Sequence, residues 1–316
     1  MTQEHTLSNL IRHLAGKTAV RDKIEIERAY RPAVNSAGSI RIGDDCAALP
    51  DGDGYLLFAA EGMLPSFVAE DPWFAGYCAV MVNLSDVAAM GGRPLAVTDV
   101  LWTSALSAIE EIWAGMQAAS QRYAVPIVGG HTSVIRSAPT YLAAAVLGRA
   151  KRLITSFEAK PGDDLLIVVD LRGEFHGNRP FWNASVSAPA QRLRQDLQLL
   201  PFIAEAGWCA AGKDISNGGI IGTLAMLIRE SGVGAELRLD DVPRPENVAL
   251  DEWLISFPSF GYILAVSDDR SEKVIDLFRR RQIGCASAGK FTPESGLVLQ
   301  RARERAAFPL DGRAVG

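Results

Sequence analysis

The sequence is poor in several things, and each shortage removes a class of function. Its four cysteines, Cys46, Cys78, Cys209 and Cys285, lie far apart and make no CxxC pair. That spacing speaks against a zinc ribbon or a disulfide framework and fits a reducing compartment. Of the four histidines, His5, His13 and His176 make no metal-ligand spacing, and no Ser-His-Asp constellation can be named. Excess positive charge is missing too. A net charge of −5 and a pI near 5.5 offer no general hold on DNA, RNA or an anionic membrane. No uninterrupted apolar run approaches the roughly 18 residues of a membrane-spanning helix, and the N-terminus lacks the apolar stretch of a signal peptide. The cytoplasm is the expected location, with no nucleic acid and no membrane among the expected partners.

What is present is ordinary globular material: 316 residues, 48% hydrophobic and 22% charged. That length favours two domains, and the boundary is expected near residue 150, giving 1–150 and 151–316. The first thirty residues read as a helix, with Leu7, Leu10, Ile11 and Leu14 at helical spacing. Residues 55–60 read as a buried strand bounded by turn signals, and Asp71-Pro72 opens a long helix that stops near Gly91-Gly92. A strand over 95–102, a helix over 107–123 and strands over 125–128 and 141–147 complete an α/β first half. The second half reads as α+β, with a strand at 165–169, a flexible loop over 174–183 and a helix running to residue 230. Strands near 235–239, 261–266 and 296–299 and a basic helix over 271–282 follow.

Four acidic positions read together. Asp44 and Asp45 follow Gly43 in a loop where backbone can approach a ligand closely. Glu61 sits where a strand ends, and Asp86 lies three residues after Asn83, on the same helix face. Hard cations take oxygen ligands, usually a few carboxylates with water and substrate phosphates beside them. Each acid alone has an ordinary reading as turn chemistry or a solvated helix face. Asp86 resists it, because Val80, Met81, Val82, Leu84, Val87, Ala88, Ala89 and Met90 make its helix apolar nearly all round. A buried carboxylate needs a partner, and Asn83 can share one.

Two glycine-bearing stretches suit anions. Gly129-Gly130-His131-Thr132 follows a strand directly, so backbone amides and the Thr132 hydroxyl can face a phosphate, and His131 can be ligand, acid, base or donor. Asp214-Ile215-Ser216-Asn217-Gly218-Gly219 sits at a helix start, where Ser216 or Asn217 caps the helix and free amides favour an anion. Two other stretches fail as motifs. Ala15-Gly16-Lys17-Thr18 has Ile11 where a phosphate-binding loop needs glycine, and Gly232-Val233-Gly234 lacks the third glycine of a dinucleotide fingerprint.

In order along the chain, these motifs resemble the aminoimidazole ribonucleotide synthetase-related superfamily. That superfamily also holds selenophosphate synthetase, thiamine-monophosphate kinase and a hydrogenase maturation carbamoyl dehydratase. The resemblance rests on residues 43–47, 59–62, 82–94, 128–132, 160–163 and 214–219, with 82–94 the most specific. Residues 73–80 and 257–261 are similar to an uncharacterised branch that includes the methanogenesis marker 2 type.

The resemblance implies an N-terminal α/β domain that pairs with its twin into a homodimeric β-barrel, and a C-terminal α+β domain with a mixed or antiparallel sheet. It implies ATP and Mg²⁺ bound by the acidic motifs near the dimer interface, with Asp44, Asp45 and Asp86 at metal-binding positions. Glu61 stands where relatives usually carry aspartate, and His131 where many carry an acid. The expected activity is ATP-dependent phosphoryl transfer to a small molecule, or its activation by phosphate. Asp44, Asp45, Glu61 and Asp86 are the expected metal ligands. Gly43, Asn83, Gly129, Gly130, Thr132, Ser216 and Asn217 are expected to hold nucleotide or substrate, and His131 and Asp214 to assist the chemistry. A nucleotide-responsive, non-catalytic partner protein and an amide-dehydrating synthetase are the rival readings.

Overall fold

The computed structural model describes residues 6–26, 41–103, 106–135 and 139–310. It opens with helices α1 (Leu7–Ala15) and α2 (Thr18–Glu25). Strands β1 (Ala47–Asp51) and β2 (Gly54–Met63), helices α3 (Pro65–Glu70) and α4 (Pro72–Ala89) and strand β3 (Arg93–Thr103) follow. Helix α5 (Leu106–Tyr123) then leads to strands β4 (Ile127–Val134) and β5 (Tyr141–Ala150). Next come β6 (Asp164–Val169), β7 (Glu174–Phe175), β8 (Phe181–Asn183), α6 (Ala190–Asp196), α7 (Leu199–Glu205) and β9 (Ala211–Asp214). The chain closes with α8 (Gly219–Ser231), β10 (Gly234–Arg238), α9 (Leu250–Leu254), β11 (Phe257–Pro258), β12 (Gly261–Val266), α10 (Asp268–Arg279), β13 (Gly284–Thr292), β14 (Gly296–Arg301) and β15 (Glu304–Phe308).

Two compact units divide the chain, and the division is not linear. One holds the described residues of 45–153 and 187–205, the other those of 1–44, 154–186 and 206–316. Against the single boundary expected near residue 150, α1 and α2 group with the second half, and α6 and α7 with the first.

In the first unit a mixed sheet runs in the order β1-β2-β5-β3-β4, antiparallel except for the parallel β3–β4 pair. It is open, with β1 and β4 at its edges. Side chains alternate across it, as the two-residue period of a strand requires. Leu57, Ala59, Val97, Leu101, Leu142 and Val146 are buried on the face that α4 packs against, and Phe58, Trp102, Tyr141 and Leu147 are exposed on the other.

Helix α4 starts as its sequence dictates, with Asp71 Oδ1 accepting from the Phe74 amide at 3.1 Å and Pro72 in the first turn. It ends at Gly91, in a left-handed conformation at φ +73°. Two glycines let α4 and α5 nearly touch. A Cβ on Gly76 would lie 2.1 Å from the Ile112 carbonyl oxygen, and one on Gly115 would lie 1.8 Å from that of Trp73.

The second unit carries a seven-stranded sheet ordered β15-β14-β10-β13-β6-β12-β9, with only β10–β14 parallel. Its interior strands β6 and β12 are buried along their whole length. The Leu7, Leu10, Ile11 and Leu14 stripe of α1 joins this core, and the Leu7 amide donates to Glu304 at 2.8 Å.

Three local expectations need correction. The helical pattern at the N-terminus is two helices broken at Gly16-Lys17. Residues 174–183 are not a loop: β7 and β8 form a hairpin, and β8 pairs in parallel with β11. Three aromatic side chains outweigh the local turn chemistry there. Trp182 meets Phe175 and Trp253 edge-on and is 5% exposed. Strand β4 extends through residue 134, so Gly129-Gly130-His131-Thr132 lies inside a strand rather than in a turn after one.

Candidate functional site

The register of the five-stranded sheet builds the site. Glu61 on β2 sits opposite Ala144 on β5, Ala144 opposite Asp99 on β3, and Asp99 beside Gly130 on β4. Directly paired residues share a face, so these four form one row across the sheet. Asp99 is 2% exposed, which puts the row on the inner face, under α4. Gly130 confirms the direction, because a Cβ there would lie 2.1 Å from Asp99 Oδ1.

Helix α4 supplies Asn83 and Asp86, both buried. Asn83 Nδ2 donates to the Ala79 carbonyl at 2.8 Å and to the Ala144 carbonyl at 3.2 Å. The second bond anchors the amide over the acidic row. Glu61 lies within β2 rather than beyond its end, and is exposed.

The remaining expected residues divide differently. His131 pairs with Val100 on β3, so its side chain lies on the outer face of the sheet, away from Asn83 and Asp86. Its Nε2 is 3.0 Å from Ser133 Oγ on that same face. Gly129 is exposed, and its carbonyl accepts from the Thr98 hydroxyl at 2.9 Å. Thr132 pairs with Leu101 and is exposed.

Asp44 and Asp45 fall on either side of the division between the units. The Asp44 carboxylate accepts from Ser156 twice, at 2.7 Å from its hydroxyl and 3.0 Å from its amide. Gly43 takes φ +117°, which favours glycine, and its Cβ position would lie 3.1 Å from Glu230 Oε2. Among the described residues, no group of three or more His, Cys, Asp or Glu side chains assembles in a metal-holding arrangement.

In the second unit Asp214 ends β9, and Ser216 accepts a hydrogen bond from Lys23 Nζ at 2.8 Å. The capping expectation for Ser216 and Asn217 is corrected. The cap residue of α8 is Gly218 at φ +89°, without a side-chain cap, and Asn217 Oδ1 instead accepts from the adjacent Gly218 amide at 3.1 Å. Two glycines in a row let the chain turn left-handed before the helix and displace both candidate caps.

Asp99 escaped the sequence reading. Burial raises its carboxyl above the usual range, an effect its own backbone N–H only partly offsets, and no basic side chain contributes. The signal was legible: Val97, Asp99 and Leu101 alternate along a strand, placing an acid where apolar residues point inward. Thiolate chemistry has no support at Cys209, whose thiol burial pushes up to about 12.

A mixed α/β unit with a buried Asn–Asp helix face over an acidic row, joined to a largely antiparallel second unit, defines the structural class. The chain belongs to the AIR synthase related family, whose N-terminal domain model matches residues 43–150 and whose C-terminal domain model matches residues 163–301. It is 45% identical to an uncharacterized protein of Synechocystis, over 96% of this chain and 95% of that one. A thiamine-monophosphate kinase from Synechococcus elongatus is 29% identical over 74% of this chain and 80% of its own length.

Two solved structures share the fold. T. maritima PurL complexed with ATP superposes with a TM-score of 0.72 at 21% identity, covering 84% of this chain and 46% of that one. This chain thus spans about half the length of that PurL chain. AaThiL complexed with AMPPCP and TMP gives a TM-score of 0.67 at 18% identity, covering 90% of this chain and 94% of that one.

Proposed function

We propose that this protein transfers a phosphoryl group from ATP to a small molecule, or activates one through phosphate, with Mg²⁺ held on the acidic inner face of the five-stranded sheet. The observation that carries the reading is Asn83 and Asp86, buried on α4 above the row that contains Glu61. Membership of a family with a thiamine-monophosphate kinase among its relatives supports the class of reaction.

The donor set suits a hard cation: two carboxylates, both acceptors, at a sheet whose edge strand β4 carries two glycines. Bound there, magnesium supplies charge neutralisation for the phosphate oxygens. Asp86 and Glu61 hold the metal, and Asn83 orients the helix face through Ala144. Gly129 and Gly130 lie on the edge strand, where alternate amides point away from the sheet and can donate to phosphate oxygens. Such transfers depend on positioning and electrostatics rather than on a covalent enzyme intermediate. Asp44 and Asp45 are secondary candidates for the metal, Asp44 already holding Ser156. In the second unit Asp214, Ser216 and Asn217 are the candidates for acceptor recognition, and Gly43 for nucleotide contact.

The outer face of the same sheet favours a homodimer. Phe58, Leu147, Trp102 and Tyr141 expose a contiguous apolar surface, with Ala60, Ala143 and Ala145 between them. A second copy covering that face would remove it from water and complete a barrel from two open sheets. His131 and Ser133 would then lie at that interface.

The test is turnover with γ-labelled ATP across a panel of small phosphate acceptors. Label on an organic product supports a kinase, and free phosphate with a dehydrated product supports a synthetase. ATP binding without turnover on any acceptor would favour a nucleotide-responsive partner protein, a reading supported by the missing three-acid group among the described residues.

A further inference from the structure

Three buried oxygen atoms on the inner face of the sheet have no hydrogen-bond partner of normal geometry among the described residues. Asn83 is completely buried, and its Oδ1 has no hydrogen-bond partner. Its orientation is fixed, because Nδ2 spends both hydrogens on the Ala79 and Ala144 carbonyls. Flipping the amide would press its oxygen against two carbonyl oxygens. Both carboxylate oxygens of Asp99 are likewise buried without a hydrogen-bond partner. Asp99 faces Ala144 across the β3–β5 pair, and Asn83 is bonded to the carbonyl of that same Ala144. Both residues therefore meet the same point of β5, at Ala144.

Among the described residues, no side chain pairs with them. An unpaired buried carboxylate costs several kcal/mol, so a positive species is missing from the arrangement. A single proton would satisfy one oxygen of the three. A divalent cation can be held by both residues and still leave positions for other ligands. The residues around the row are small: Ala144 lies between Glu61 and Asp99, and only glycine fits at 130, where a Cβ would lie 2.1 Å from Asp99 Oδ1.

We infer that Asp99 and Asn83 Oδ1 form the buried half of a divalent-cation site, a ligand pair additional to Glu61 and Asp86. The inference deepens the magnesium reading above and can be tested without nucleotide. Asp99 is the anionic ligand that sets affinity. Asn83 is the neutral ligand, locked by its two carbonyl bonds. Glu61 and Asp86 stand at the margins of the pair, one across Ala144 on β2 and one a turn further along α4.

The experiment is a Mn²⁺ titration of the full chain in the absence of nucleotide, following free Mn²⁺ by electron paramagnetic resonance. Wild type, Asp99→Asn and, as a control for surface acids, Glu111→Gln are compared. Asn keeps the shape of Asp and removes a buried charge, so folding of the variant is expected and is verified by its thermal transition. The expected result is one saturable site in wild type and Glu111→Gln, weakened at least 10-fold by Asp99→Asn. Equal Mn²⁺ affinity in Asp99→Asn overturns the inference, and so does the lack of a saturable site in wild type. Failure of ATP to bind would sink the phosphoryl-transfer reading and leave a Mn²⁺ site at Asp99 standing. Loss of the Asp99 effect would leave ATP binding untouched.

Discussion

Asp99 holds the sharpest consequence at the scale of single residues. Burial raises its pKa above the ordinary 3.8, so the folded chain holds its proton more tightly than the unfolded chain does. Stability from that difference is complete below about 3.8 and is lost as pH rises through the raised value. Asp99→Asn should therefore raise the melting temperature at pH 7 in metal-free buffer, with the gain shrinking as pH falls toward 4. A gain that ignores pH would contradict the burial account. Asp86 was legible in the sequence because its helix is apolar on every side, so its carboxylate had nowhere wet to go. Asp99 offered the same signal at the strand period of two. What no sequence periodicity supplies is the row itself. Glu61, Asp99 and Gly130 meet only through pairings between strands far apart in the chain.

Among the elements, the α4–α5 pair is the most exacting. Ridge-and-groove packing normally keeps helices about 8–10 Å apart, and here two glycines bring backbone against side-chain positions. Gly115→Ala should cost about 1–3 kcal/mol as overpacking, read as a lower urea midpoint with an unchanged slope. The β7–β8 hairpin behaves oppositely, being anchored by what it buries. Trp182→Ala should cost about 3–5 kcal/mol, since it removes two edge-on ring contacts and the indole bond to the Asp170 carbonyl at 3.0 Å. Loss well under 1 kcal/mol would mean that the hairpin opens without disturbing the core. Its glycine and proline content made it read as a loop, yet Phe175, Phe181 and Trp182 decide the outcome. Long elements with strong periodicity, such as α4, α5 and β6, were plain from sequence. Strands β9, β13 and β15 were not, because their polar and small residues carry no alternation of their own and owe their form to neighbouring strands.

The molecule as a whole joins a mixed sheet carrying an acidic inner face to a largely antiparallel second unit. The linear order of the motifs was readable. The grouping of α1 and α2 with the second half was not, since it depends on which core receives Leu7, Leu10, Ile11 and Leu14. Two predictions belong at this scale. If a second copy covers the exposed sheet face, sedimentation should give a dimer for wild type and a monomer for Phe58→Glu, because a charge at 51% exposure in the monomer would be buried at the interface. A monomeric wild type would remove the homodimer from the account. The most direct test of nucleotide binding is thermal unfolding with and without Mg²⁺·ATP, wild type beside Asp86→Asn. Ligand at about 100 times its dissociation constant should stabilise wild type by about 2.7 kcal/mol. The account predicts a shift in wild type that requires the metal and is absent from Asp86→Asn. A wild type that does not shift, or a variant that shifts equally, would contradict it.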